Sequence, residues 1–215
     1  RLTSKEEVAG LAALCASLTS LYVDYIDGVT DYATLAELIH LGAFGLVADE
    51  GLSRLSALGT VKHLSIDDYK GGVDYSVLYG MPGLESLDIA RGKNLKDIGF
   101  VTSMPNLRHF ALNHSIVISL QPLANKSTLQ SLYIGYNSEL KDLSAIGTLT
   151  GLTSFSMTGS LGIDPILPDL SACTALQAAD LFRYHLPSLA GLQSITSLTL
   201  RSWSNIDCVV LSTLT

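Results

Sequence analysis

MPGLESLDIARGKNLKDIGFVTSMPNLRHFAL, residues 81–112, carries the same phrase twice. Met81-Pro82 leads to Leu84, Leu87 and Ile89, and Met104-Pro105 leads to Leu107, Phe110 and Leu112. The offsets are identical and the interval is 23 residues. A fixed interval of this length is the mark of a chain built from stacked supersecondary units, so it has to be sought along the whole sequence first.

The template apolar-x-x-apolar-x-apolar recurs at Leu18/Leu21/Val23, Leu41/Phe44/Leu46, Val61/Leu64/Ile66 and Leu84/Leu87/Ile89. It continues at Leu107/Phe110/Leu112, Leu129/Leu132/Ile134, Leu152/Phe155/Met157, Leu176/Ala179/Leu181 and Ile195/Leu198/Leu200. These nine sites are spaced 19 to 24 residues apart. The last two apolar positions of each alternate with polar or small residues, which predicts a short strand with one face buried. A second half follows, with apolar residues every third position, as in Leu140, Leu143, Ile146 and Leu149. That spacing predicts 3₁₀ or irregular segments too short for an α-helix. The six prolines (82, 105, 122, 165, 168 and 187) all fall outside the strand triplets, as a hydrogen-bonded ladder requires.

This pattern resembles the leucine-rich repeat family, in its short 22-residue, internalin-like branch, from about Leu18 to Leu214. The resemblance implies an α/β solenoid of about nine repeats, with a concave parallel β-sheet and short 3₁₀ or irregular convex segments. One repeat cannot bury its own apolar edge, so neighbours must stack to make a continuous core. The family places an Asn three residues past the last apolar strand position, where its amide ties together turn backbone groups. Only Asn137 matches. The corresponding positions hold Ile26, Asp49, Tyr69, Gly92, Ser115, Ser160, Tyr184 and Trp203, so Ser or Asp side chains, water or a distorted turn must serve there. Residues 1–215 read as one leucine-rich repeat domain, with 1–14 as a partial first coil and the whole as a segment of a longer protein.

Composition narrows the function. At 215 residues and 47% hydrophobic the chain folds, and its apolar residues are too dispersed to form a membrane span. The net charge of −7 disfavours nucleic acid, which demands clustered Lys and Arg. Most of that charge lies in residues 1–80, with 11 acidic and 5 basic side chains. Cys15, Cys173 and Cys208 form no CxxC pair, so buried thiols are expected rather than a disulfide framework or zinc site.

In this fold a partner meets the outward side chains of the sheet. Strand alternation assigns to that face Tyr22, Asp24, Asp67, Asp88, His109, Tyr133, Phe182 and Arg201, and just beyond it come Tyr25, Asp68, Arg91, His114, Tyr136 and Arg183; together they are the expected partner-binding set. The aromatic members and arginines are the usual binding anchors, and the Ser, Ala and Gly between them admit close approach. His63, Ser86 and His109 with Asp67 and Asp88 could compose a nucleophile, base and carboxylate. An open sheet, however, supplies neither oxyanion donors nor a water-excluding pocket, so no enzyme is expected. No metal or cofactor motif is present, and no metal or cofactor is expected. Two Asn-x-Ser sequons, at Asn113 and Asn125, matter only in a eukaryotic secretory pathway; a glycan on Asn113 would stand on the proposed face.

The expectation is a non-catalytic module that recognises a protein or glycan, extracellular or at a cell surface. An intracellular scaffold, similar to short-repeat phosphatase regulators, is the alternative.

Overall fold

The computed structural model describes residues 19–23, 43–48, 59–159, 167–182 and 192–201. The chain divides into two compact units, Arg1–Leu95 with Gly99–Leu107, and Lys96–Ile98 with Arg108–Thr215. In the first unit strands β1 (Ser20–Val23), β2 (Ala43–Ala48), β3 (His63–Asp68) and β4 (Ser86–Ala90) pair in chain order, all parallel. In the second, β5 (His109–Asn113), β6 (Ser131–Gly135), β7 (Ser154–Thr158), β8 (Ala178–Phe182) and β9 (Ser197–Arg201) do the same. The last two apolar positions of all nine templates fall inside these strands.

Register follows the sequence repeat without a slip. Leu64 pairs with Leu87 and Ile66 with Ile89; in the second unit Phe110, Leu132, Phe155, Ala179 and Leu198 form one column. Leu112, Ile134, Met157, Leu181 and Leu200 form another. From β3 to β8 the members of these columns are buried. Between the buried Leu132 and Ile134, Tyr133 stays half-exposed, so the inward and outward sets fall as the period of two requires.

The return path keeps a period of three. The amides of Met81, Met104, Lys126, Leu149 and Cys173 donate to Leu78, Val101, Leu123, Ile146 and Leu170 respectively. Three residues on, the amides of Leu84, Leu107, Leu129, Leu152 and Leu176 donate in turn to that first set. Short 3₁₀ helices at Tyr75–Gly80, Gly99–Ser103, Gln121–Leu123 and Ser144–Thr148 lie on this path. The repeated Met-Pro has a local cause here. Each buried Met accepts the turn hydrogen bond, at 3.3 Å from Leu84 and from Leu107, while the exposed Pro occupies the second turn position. That position needs the φ that the pyrrolidine ring already holds and no donor from its nitrogen. Lys126 stands in the same buried column and is half-buried, and desolvation pushes its ammonium below the usual lysine range.

Short Asp-x-Ser turns open the return segments. Asp74 accepts from the Ser76 amide, Asp142 from the Ser144 amide and hydroxyl, and Asp169 from the Ser171 amide and hydroxyl. Ser119 bonds across to Asp142 at 2.7 Å and meets it in an isolated parallel bridge, so neighbouring coils are also tied on this side.

At the far end of the strands, Asn137 does what the family resemblance implies. Its Nδ2 donates to the carbonyls of Leu112 and Gly135, at 3.1 and 2.9 Å. Its Oδ1 accepts from the amide and hydroxyl of buried Ser115, at 2.8 and 2.6 Å. Ser115 therefore fills its own Asn slot by borrowing the amide of the next coil. After β3 the substitute is Asp68, which was expected on the exposed face. The structure corrects that expectation: Asp68 is fully buried, accepting from the Gly72 amide at 2.9 Å and the Tyr75 hydroxyl at 3.0 Å. Tyr75 is itself buried and stacked on Phe100, and burial followed by the Asp68 charge drives its phenol well above the usual range. Cys173 is buried, with its thiol directed at the Ile146 carbonyl, and desolvation raises its pKa. Cys15, Cys208, the proposed first coil and the Asn-slot positions 26, 49, 160, 184 and 203 lie outside the described residues.

Asn137→Ala should lower unfolding free energy by about 3 kcal/mol or more in urea titration, because it strands several buried backbone groups at once. Asn137→Asp should cost a similar amount, since a carboxylate cannot donate to the Leu112 and Gly135 carbonyls.

Candidate recognition face

On the first unit, four side-chain positions stand in line across the sheet: Tyr22, Gly45, Ser65 and Asp88 are cross-strand partners in sequence. Tyr22 is 64% exposed and Asp88 is exposed, while Ser65 is half-buried and Gly45 has no side chain. Asp67 and Arg91 form a two-pronged ion pair, Arg91 Nε to Asp67 Oδ1 and Nη2 to Oδ2. The same guanidinium lies over the Tyr69 ring, 4.8 Å from its centroid. The hydrogen bond to Asp67 is the main cause holding the Arg91 pKa above its ordinary value, with weaker support from the Tyr69 and Tyr22 side chains. Among the described residues Asp88 has no such cation beside it. Partial desolvation against the sheet, then repulsion from Asp67, push its carboxyl above the usual carboxylate range.

On the second unit, glycines shape the aromatic residues. A β-carbon on Gly135 would stand 2.7 Å from the Tyr133 hydroxyl, so the Tyr133 side chain occupies the space above Gly135. From there its hydroxyl reaches Thr158 Oγ1 at 3.0 Å. His114 and Tyr136 stack face to face, with centroids 4.7 Å apart and planes 12° from parallel. The Tyr136 ring also lies where a Gly159 side chain would be, 2.5 Å from the ideal β-carbon. His114 is exposed and Tyr136 is 50% exposed. His109, at the start of β5, is exposed, and Phe182, at the end of β8, is half-buried. Arg201 on β9 forms a two-pronged pair with Asp180 on β8, both contacts 2.9 Å. Asn113 is half-buried, with its Oδ1 enclosed and, among the described residues, without a hydrogen-bond partner, whereas Asn125 is exposed. Of the two sequons, Asn125 offers the more exposed side chain.

Backbone geometry explains where these rings point. Arg91, His114 and Tyr136 each follow a strand at the same repeat position, with φ of 55°, 52° and 50°. Gly159 occupies the next equivalent position with φ of 84°. This left-handed conformation turns the chain out of the strand, and it costs a non-glycine residue about 1 kcal/mol or more. The sequence pattern placed Arg91, His114 and Tyr136 on the face, and they are at its rim. Asp24, Tyr25 and Arg183 lie outside the described residues. Tyr69, Thr158, Gly135 and Gly159 were not singled out from sequence, although the alternation of Tyr133 with Gly135 was visible.

His63 and Ser86 are cross-strand partners on the first unit, while His109 belongs to the second. Among the described residues no group of three or more His, Cys, Asp or Glu side chains could hold a metal ion. No described helix is long and apolar enough to cross a membrane.

In-register parallel strands returning through period-three turns define the leucine-rich repeat solenoid, an α/β fold. No protein-family profile and no curated protein matches the sequence. Solved structures do match in fold. The internalin InlF of Listeria monocytogenes is similar over 95% of this chain at 21% identity and a TM-score of 0.66, the match covering 66% of the internalin chain. Internalin C2 of the same species is similar over 88% of this chain and 83% of its own, at 20% identity and 0.61. A TLR13 chain from a complex with ssRNA13 is similar over 95% of this chain but 39% of its own, at 15% identity and 0.61.

Gly159→Ala should destabilise the protein by about 2 kcal/mol or more, from its left-handed φ together with overlap on the Tyr136 ring. In a Tyr136→Ala background the same change should cost less, and a double-mutant cycle by urea unfolding measures that coupling. Asp88→Asn should raise the melting temperature at pH 7. A carboxyl whose pKa is higher folded than unfolded destabilises the native state when ionised, so the gain should vanish as acid protonates the wild-type group.

Proposed function

We propose that the chain is a non-catalytic recognition module that binds a protein or glycan partner through the exposed face of its sheet. The observation that carries this reading is the His114–Tyr136 stack. Two bulky residues hold left-handed backbone conformations at a position where the next coil has glycine, and both rings remain open to solvent. Strain of this kind persists where the surroundings over-determine it, and it gathers at binding sites. The rings are also fixed before any partner arrives, by each other and by the Gly159 backbone, so little side-chain entropy is left to lose. A pre-set aromatic anchor of this type is the usual centre of an interface.

The charge pattern of the described face supports a partner other than nucleic acid. Arg91 and Arg201 are both committed to neighbouring carboxylates, which leaves neither guanidinium ready for a phosphate. The internalin and TLR13 likenesses support the scaffold on which such recognition would sit, while the residues of the face are this chain's own.

The test is affinity capture with the Tyr133→Ala plus Tyr136→Ala double variant, followed by identification of the partner and titration against the purified pair. Loss of two anchors should weaken binding more than tenfold, at the level of about 1–2 kcal/mol for each. Retained affinity in a variant whose melting curve is intact would refute the reading.

A further inference from the structure

We infer that the sheet face of the first unit receives a basic segment of a protein partner, seated between Tyr22 and Asp88. The inference rests on the recognition reading and names the chemistry of the partner on that unit. Tyr22, Gly45, Ser65 and Asp88 are successive cross-strand partners, so these positions form one line across β1 to β4. Neighbouring strands lie about 4.8 Å apart, which separates the Tyr22 and Asp88 backbones by roughly 14 Å. The two middle positions contribute no side chain and a half-buried serine. The result is a shallow trough with an aromatic wall, a low floor and a carboxylate wall.

The walls select the occupant by charge. Asp67 has both oxygens engaged by Arg91, so its charge is met from within. Asp88 is exposed, has no cation beside it among the described residues, and feels the Asp67 carboxylate next to it. Arg91 cannot turn to Asp88 without surrendering a two-pronged pair and its seat over Tyr69. Residues 1–80 add 11 acidic against 5 basic side chains, so the field around this unit also draws cations. A lysine or arginine suits the trough in both its parts. Its aliphatic stem can lie across Gly45 and Ser65 against the Tyr22 ring, and its charged head can meet Asp88.

The experiment measures fluorescence anisotropy of two labelled ten-residue peptides, one alternating Arg and Gly, the other Glu and Gly, with the full chain at 0.15 M salt. The basic peptide should bind and the acidic one should not. Asp88→Asn and Tyr22→Ala should each weaken the basic peptide about fivefold. Glu139→Gln, an equal change of charge at an exposed residue outside the strands, should leave affinity unchanged. Equal effects of Asp88→Asn and Glu139→Gln would mean diffuse attraction to an acidic protein and would overturn the inference, as would failure of the basic peptide to bind. Capture of the natural partner separates the two proposals. A partner retained by Asp88→Asn and Tyr22→Ala but lost by the Tyr133/Tyr136 double variant sinks this inference and leaves the recognition reading in place. A partner unaffected by either set sinks both.

Discussion

A coil of this chain cannot close on itself, and most of the structure depends on that fact. Each strand leaves its backbone donors and acceptors facing sideways, and only the neighbouring coil can meet them. The carbonyls of Lys62, Arg108, Gln130, Thr153 and Gln177 show how tightly this is kept, since each accepts two consecutive amides from the next coil. A coil shifted by one residue would lose those bonds and turn its apolar pair outward at the same time. Backbone pairing and hydrophobic burial therefore enforce one register together. The side chains on the outer face take no part in that agreement, which leaves them free to differ from coil to coil.

That division explains what the sequence made legible. Period two in the strands and period three in the return path are imposed by the backbone, so the apolar positions that obey them could be read directly. Met81-Pro82 and Met104-Pro105 suit the same turn in successive coils, where a buried side chain is followed by a φ that proline presets. Beyond the last strand residue the period ends, and direction is set by a left-handed residue and by whatever satisfies the turn. Asp68 was misread for that reason. β3 runs one residue further than β4 to β7, so Asp68 continues the strand's alternation and its carboxylate turns inward to Gly72 and Tyr75. After β4 to β7, Arg91, His114, Tyr136 and Gly159 hold the same repeat position with positive φ, and the first three carry their side chains to the rim.

The candidate face was legible as a list of positions but not as a set of charges. Period two identifies Asp67, Asp88, Asp180 and Arg201 as outward, with Arg91 just past the strand, without saying which of them neutralise each other. Arg91 reaches back 24 residues to Asp67 and Arg201 reaches back 21 to Asp180, so pairing crosses from one coil to its predecessor. Side-chain length decides this, since an arginine spans a strand spacing that an aspartate does not. The outcome is that an apparently mixed face keeps Asp88 as an exposed carboxylate with no cation beside it among the described residues.

Strain gives a second criterion for separating scaffold from surface. At the left-handed position glycine is the least costly residue, and Gly159 meets the requirement there without penalty. If the turn were all that mattered, Arg91, His114 and Tyr136 would gain stability by becoming glycine. Two of them return part of the cost through local contacts, Arg91 by its pair with Asp67 and Tyr136 by stacking between His114 and the Gly159 backbone. His114 recovers less through its side chain, which is exposed and whose described contact is the ring face it shares with Tyr136. A residue that holds an unfavourable backbone to keep one exposed ring against another is better explained by what the pair presents outward than by what it adds to the fold.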